Sequence, residues 1–269
     1  MRLLAHFPIV RRLIETVACG LAILAFAPPA QAAEIKVMIS GGLTAAFKQL
    51  APEFETATGH KITAMFGPSM GTTEFAIPMR LARGEVTDVV IMAGSALGDL
   101  VKAGKVVAAS RVDLARARIA MVVRSGAPRP DISTIDALKA AMLAAKSIAY
   151  SDSASGVYIE TVLLKKLGIE EQVRAKSRMI PAEPVAKGVA RGESEIGFQQ
   201  LSEILPVPGV DVVGMLPEGA QTITIFAAGV SVLAPQPEAG KALIDFLASP
   251  AAAPLIIKTG IEPIVPGKS

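Results

Sequence analysis

The chain has 269 residues, of which 51% are hydrophobic, 19% charged and 4% aromatic. Its formal charge of +3 falls to +1 once Arg2, Arg11, Arg12 and Glu15 of the N-terminal segment are set aside, and no Lys/Arg-rich run occurs elsewhere, which argues against a nucleic-acid partner. The mean hydropathy of +0.49 comes largely from short Ala, Val and Ile runs, and beyond the N-terminus none approaches the roughly 20 apolar residues of a membrane span.

Residues 1–32 read as a cleavable secretory signal peptide. Arg2, Arg11 and Arg12 form a positive start, Thr16–Ala27 is apolar, and Ala30-Gln31-Ala32 places small residues at −3 and −1 of a cleavage site. Cys19, the single cysteine, lies inside this segment, so the processed chain is expected to lack disulfides, thiol nucleophiles and Cys metal ligands.

Beyond it, short apolar runs alternate with helical patterns, which predicts an α/β fold. Strand Ile35–Ile39 runs into Ser40-Gly41-Gly42 and a helix over Thr44–Thr56. Strand Lys61–Met65 leads to the loop Gly67–Thr73 and a helix over Glu74–Arg83; strand Val89–Ala93 precedes a helix at Leu97–Ala103. Ile119–Val123 is a strand, and Ser125–Asp131 with its prolines is a linker. A second unit then repeats the alternation: a helix capped by Ser133, strand Ile148–Tyr150, loop Ser151–Gly156 opening a helix to Leu167, extended Met179-Ile180, helix Pro184–Arg191, and strands Glu195–Phe198 and Val210–Val213. Thr222–Leu233 reads as a connecting strand, Gly240–Ala248 as a closing helix, and the tail is marked by Pro and Gly. The expected organisation is two lobes: residues 33–118 begin the first, 119–228 form the second with the hinge strands, and 229–269 return to the first. Two extended crossings are expected, near Arg118–Arg124 and Thr222–Val232.

Three loops share one character. Ser40–Thr44, Gly67–Thr73 and Ser151–Gly156 each place small or hydroxyl residues after a strand and at a helix start, where unpaired N–H groups and the positive dipole end favour an anion. Ordinary N-capping uses the same residue types, and for any one loop it is the simpler reading. Three such loops on equivalent ends of two lobes point instead to an anion site. No catalytic constellation stands out. His60 is the only histidine left after cleavage, no Gly-x-Ser-x-Gly elbow or phosphate loop is present, and no metal site is expected. Arg80, Arg83, Arg124, Arg178 and Lys187 could meet carboxylates, and Asp152, Glu183 and Glu203 lie near the loops as proton acceptors.

The secretory start, Ser40–Thr44, Phe66–Thr73, Gly84–Val90, Asp152–Tyr158, Pro184-Val185 and Arg191–Ile204 together resemble the periplasmic molybdate-binding proteins, substrate-binding components of ABC importers. The resemblance implies a two-lobed type II periplasmic-binding fold with two extended crossings. It also implies a monomeric periplasmic clamp that needs no cofactor and hands a small anion to an inner-membrane ABC permease. Carried over, the ligand-binding residues are Ser40, Gly41, Gly42, Ser69, Met70, Ala154, Ser155, Gly156, Val185 and Gln200. Gly42 stands where the family has a serine, and Gln200 where it has a tyrosine. Those two changes predict an organic carboxylate as ligand in preference to molybdate. The stretch Gln199–Pro206 is similar to a divergent branch that includes periplasmic aconitate isomerases. An enzyme of that kind would draw its base from Asp152, Glu183, Glu203 or His60.

Overall fold

A computed structural model of the chain describes residues 32–265; the expected signal peptide, apart from Ala32, lies outside the described residues. The first lobe opens with β1 (Glu34–Ile39), α1 (Gly41–Thr58), β2 (Lys61–Phe66), α2 (Ile77–Ala82), β3 (Val89–Ala93) and α3 (Gly94–Lys102). The long strand β4 (Val112–Arg124) leads into the second lobe. That lobe holds α4 (Ile135–Ala144), β5 (Ile148–Ser151), α5 (Ala154–Tyr158), a π-helical turn (Ile159–Leu163), α6 (Leu164–Leu167), α7 (Glu170–Arg174), β6 (Ser177–Ile180), α8 (Val185–Ala190), β7 (Ile196–Gln200), α9 (Leu201–Ile204) and β8 (Val210–Met215). The chain then adds β9 (Ile223–Val230), α10 (Pro237–Leu247), α11 (Ala253–Lys258) and β10 (Glu262–Pro263).

The strands follow the order β2-β1-β3-β9-β4-β7-β5-β6, with β8 and β10 also on β4. β1 runs parallel to β2 and β3, and β5 parallel to β6 and β7; β4, β8, β9 and β10 supply the antiparallel pairs. Both sheets are covered on both faces, which is why their central strands are apolar along their length. In β1, Ile35, Val37 and Ile39 pack with Leu43, Phe47 and Leu50 of α1, while Met38 faces Ile77 and Leu97 on the opposite side. The second lobe repeats the arrangement. Ile119, Met121 and Val123 of β4 join Leu138 and Leu163, and Ala120 and Val122 join Val185 and Val189.

One strand belongs to both sheets. Val112–Arg118 of β4 pairs with β9, and Ile119–Val123 pairs with β7, so the first crossing falls at Arg118-Ile119. The second crossing departs from expectation. β9 lies wholly in the first sheet, between β3 and β4, so the chain has returned before Ile223, not at residue 229. Its apolar run reflects a central position in that sheet. The crossing itself is the segment 216–222.

Gln221 ties the two crossings together. Its Oε1 accepts from the Ile119 N–H at 2.9 Å, and its Nε2 donates to the Ile119 carbonyl at 2.9 Å. Smaller differences are local. Thr134, not Ser133, caps α4 by accepting from the Ala137 N–H at 3.1 Å. α1 begins at Gly41, directly behind the strand, and the tail forms α11 and β10.

Gln221→Leu removes the side-chain acceptor of the Ile119 N–H and one of two donors to the Ile119 carbonyl, which keeps the Leu216 N–H at 3.1 Å. We expect a loss of about 1–3 kcal/mol in urea unfolding, with the slope unchanged.

Candidate functional site

The carboxyl ends of β1, β2, β5, β6 and β7 open on one cleft between the lobes, as parallel strands place their following loops. Its volume is about 650 Å³. Gly41, Thr44, Lys48, Phe66 and Phe75 come from the first lobe; Asp152, Ser153, Glu183, Lys187, Gln199 and Glu203 come from the second.

The three hydroxyl-rich loops meet behind it. Ser69 Oγ accepts from the Ala93 N–H at 2.9 Å and donates to Ser40 Oγ at 2.7 Å. The Ser69 N–H reaches across to Ser153 Oγ at 3.3 Å, and Ser151 and Ser155 hydroxyls share a bond of 3.0 Å. With Ser40 buried and engaged by Ser69, α1 starts without a side-chain cap. A second bond between the lobes runs from Ser202 Oγ to the Gly42 carbonyl at 2.7 Å.

The expected site residues divide into groups. Gly41 lines the cleft, and a β-carbon there would overlap Glu203 Oε2. Gly42 is a packing position: a β-carbon would run into the Phe226 ring, which leaves no room for a serine hydroxyl. Gly156 is set by close backbone approach, since a β-carbon would overlap the Ser151 carbonyl. The Val185 N–H is already bonded to Gln199 Oε1 at 2.7 Å. Gln200 is buried; its Nε2 donates to Thr224 Oγ1 at 2.8 Å, and its Oε1 has no partner among the described residues. Met70 and Ala154 line a different cleft of about 620 Å³ beside Tyr158 and Thr224.

The four candidate bases separate more sharply. His60 is at the opposite end of the sheet, where its Nδ1 accepts from the Ala33 N–H at 3.0 Å and its ring stacks on Phe54. It is thus away from the cleft, at the amino ends of β1 and β2. Glu183 lines the cleft but is paired with Arg191 at 2.6 Å. Asp152 is buried, which pushes its carboxyl above the usual range; its Oδ2 accepts from the N–H of Ala182 at 3.1 Å. Ala182 is held at a φ of 56°, a left-handed conformation that costs an alanine about 1–2 kcal/mol.

Glu203 differs. The protein packed around its carboxyl pushes it up to about 7, with a smaller contribution from the Asp152 charge and opposition from a hydrogen bond. That bond comes from Gln199 Nε2 to Oε2 at 2.7 Å. Lys48 and Lys187, from facing lobes, line the cleft exposed and make no ion pair with any described residue.

Sequence reasoning missed Lys48 and Gln199. Lys48 shares a helical face with Gly41 and Thr44 at spacings of three, four and seven, and that periodicity is the signal that could have found it.

Residues 35–262 match the family model described as bacterial extracellular solute-binding protein. The chain belongs to that family. As a solute-binding family member it is 48% identical over 254 residues to an aconitate isomerase of Pseudomonas sp, covering 93% of this chain and 97% of that protein. It is 32% identical over 192 residues to the molybdate-binding protein ModA of Azotobacter vinelandii, covering 70% and 72%. Among solved structures, the Azotobacter vinelandii periplasmic molybdate-binding protein superposes with a TM-score of 0.68 at 18% identity, over 86% of this chain and 99% of that one. The sulfate-binding protein SubI of Mycobacterium tuberculosis gives 0.68 at 15% identity, over 87% and 88%. At such identities the structures establish the fold, which is the two-lobed α/β type II periplasmic-binding architecture.

Folding favours the protonated form of Glu203. The stability it contributes is full below its ordinary value of 4.5 and is lost as pH rises through about 7. Glu203→Gln mimics the protonated form, so we expect an unchanged Tm at about pH 4 and a Tm raised by a few degrees at about pH 8, read by calorimetry.

Proposed function

We propose that this solute-binding fold works as an aconitate isomerase, exported by cleavage after residue 32 and acting on a tricarboxylate in the periplasm. The observation that carries the reading is Glu203. It is a carboxyl in the inter-lobe cleft whose proton affinity is raised to about 7, where it can both take and return a proton at neutral pH. Full-length similarity to an aconitate isomerase supports the same reading.

The chemistry is a proton shift. Ionised Glu203 removes a proton from the substrate methylene, forming an O–H bond as the C–H bond breaks. The electron pair spreads over the adjoining double bond and carboxylate. Glu203 then returns the proton to the far carbon of that allylic unit. The double bond has moved by one position, and the cis and trans forms interconvert without net gain or loss of atoms. Lys48 and Lys187 offer one cation from each lobe to the outer carboxylates, and this fits a molecule longer than a tetrahedral oxyanion. The closed contour at Gly42, which leaves no room for the serine hydroxyl of the molybdate binders, favours a carboxylate over molybdate.

A second reading follows from family membership: a clamp that binds the carboxylate without turnover, as a monomer, and delivers it to an ABC permease. Its support is the pair of bonds that join the lobes, Ser69 to Ser153 and Ser202 to Gly42.

Incubation of the purified protein with trans-aconitate separates the two. We expect the cis isomer to accumulate, and Glu203→Gln to lower kcat by about 10²–10⁴-fold, the scale of a lost general base. Unchanged trans-aconitate with calorimetric binding retained would leave the clamp; tight molybdate binding without carboxylate binding would overturn both carboxylate readings.

A further inference from the structure

Gln199 sits at the end of β7 and is 2% exposed. An amide side chain alone does not reveal which end faces a neighbour, but here one end is decided. The atom facing the Val185 N–H must accept, because a backbone N–H can only donate; at 2.7 Å that atom is Oε1. Its Nε2 therefore points at Glu203, 2.7 Å from Oε2. As a donor, it requires Oε2 to be the accepting oxygen in either protonation state of the acid.

The first lobe reinforces this choice. Glu203 Oε2 lies against Gly41, the first residue of the 18-residue helix α1, whose first turn carries no acidic side chain and whose Ser40 provides no side-chain cap. Partial positive charge at that helix end stabilises an anion. Glu203 Oε1 makes no hydrogen bond to any described residue.

We propose that Gln199 is a positioning residue: it fixes Oε2 of Glu203 as the accepting oxygen and leaves Oε1 as the atom that takes and returns the substrate proton. The inference rests on the isomerase reading for its chemistry and on the Val185–Gln199–Glu203 relay for its geometry. In the forward half-step the methylene C–H bond breaks and an Oε1–H bond forms. In the return half-step that O–H breaks and a C–H forms on the far allylic carbon.

The other charged groups facing Glu203 are Asp152, Glu183, Lys48 and Lys187, from the β5 loop, the loop before α8, α1 and α8. None of them donates a hydrogen bond to Glu203. Gln199 is the one described side chain that does.

The test is Gln199→Met, close in length and uncharged, which removes the donor to Glu203 without setting a second carboxyl beside it. Two readouts are taken: the pH profile of kcat/KM for aconitate, and the carboxyl titration of Glu203 followed by carbon-13 NMR in glutamate-labelled protein. Loss of the bond raises the proton affinity of Glu203, so both midpoints should move up by about one unit or more, and activity should recover as pH rises. A midpoint for Glu203 that stays put overturns the positioning role, whether or not the variant is less active. Glu203→Gln run alongside separates the two ideas. Full turnover in that variant removes Glu203 as the base while the NMR titration still judges the relay. If Glu203→Gln is inactive and Gln199→Met leaves both midpoints unmoved, the base stands and the positioning role falls.

Discussion

The carboxyl of Glu203, carried by the second lobe, is lodged against the amino end of α1 in the first and grasped by the amide of Gln199. Much of the local sequence makes sense from that contact. Glycine at 41 leaves the carboxyl its place, which any side chain there would take. α1 starts one residue after Ser40, with its own cap diverted to Ser69. Ser202, beside Glu203 on α9, reaches the Gly42 carbonyl and holds the two lobes at that distance. Burial keeps the carboxyl partly protonated near neutrality, while the hydrogen bond from the Gln199 amide keeps it from losing its anionic form altogether.

The same contact distinguishes this cleft from one built only for a compact oxyanion. A site of that kind surrounds its ligand with N–H and hydroxyl donors and keeps carboxylates away. Here three carboxyls, Asp152, Glu183 and Glu203, line the cleft, and two lysines without an ion pair among the described residues, Lys48 above the Phe66 ring and Lys187, stand one on each lobe. The hydroxyls of Ser40, Ser69, Ser151 and Ser155 are largely spent on one another and on Ala93. They shape the floor and fix the loops, while the groups with chemistry to offer are carboxyl, amide and ammonium.

The alternation of apolar runs gave away the two sheets because strands covered on both faces must be apolar throughout. The three hydroxyl loops were readable because parallel strands send them to one side, and they do converge. The position of the second crossing was not readable. A strand central to one sheet and a strand passing between lobes have the same apolar composition, and only pairing with β3 and β4 separates them. Among the four candidate bases, sequence offered no ranking: His60 lies at the wrong end of β2, which depends on strand direction and register, and the fate of Glu183 depends on Arg191 eight residues away. Gln199 and Gln221 were invisible for a related reason. An amide acts through whichever peptide or carboxyl it meets, and the peptides that orient these two are 14 and 102 residues distant in the chain.

If Glu203 moves a substrate proton, that proton must at some stage be exchangeable with water through the cleft. The most direct measurement is therefore proton NMR of aconitate in deuterium oxide with the intact protein and with Glu203→Gln. The account predicts deuterium entering the methylene position with the native protein and essentially none with the variant. Equal incorporation by both, or none by either while aconitate remains bound, would contradict it.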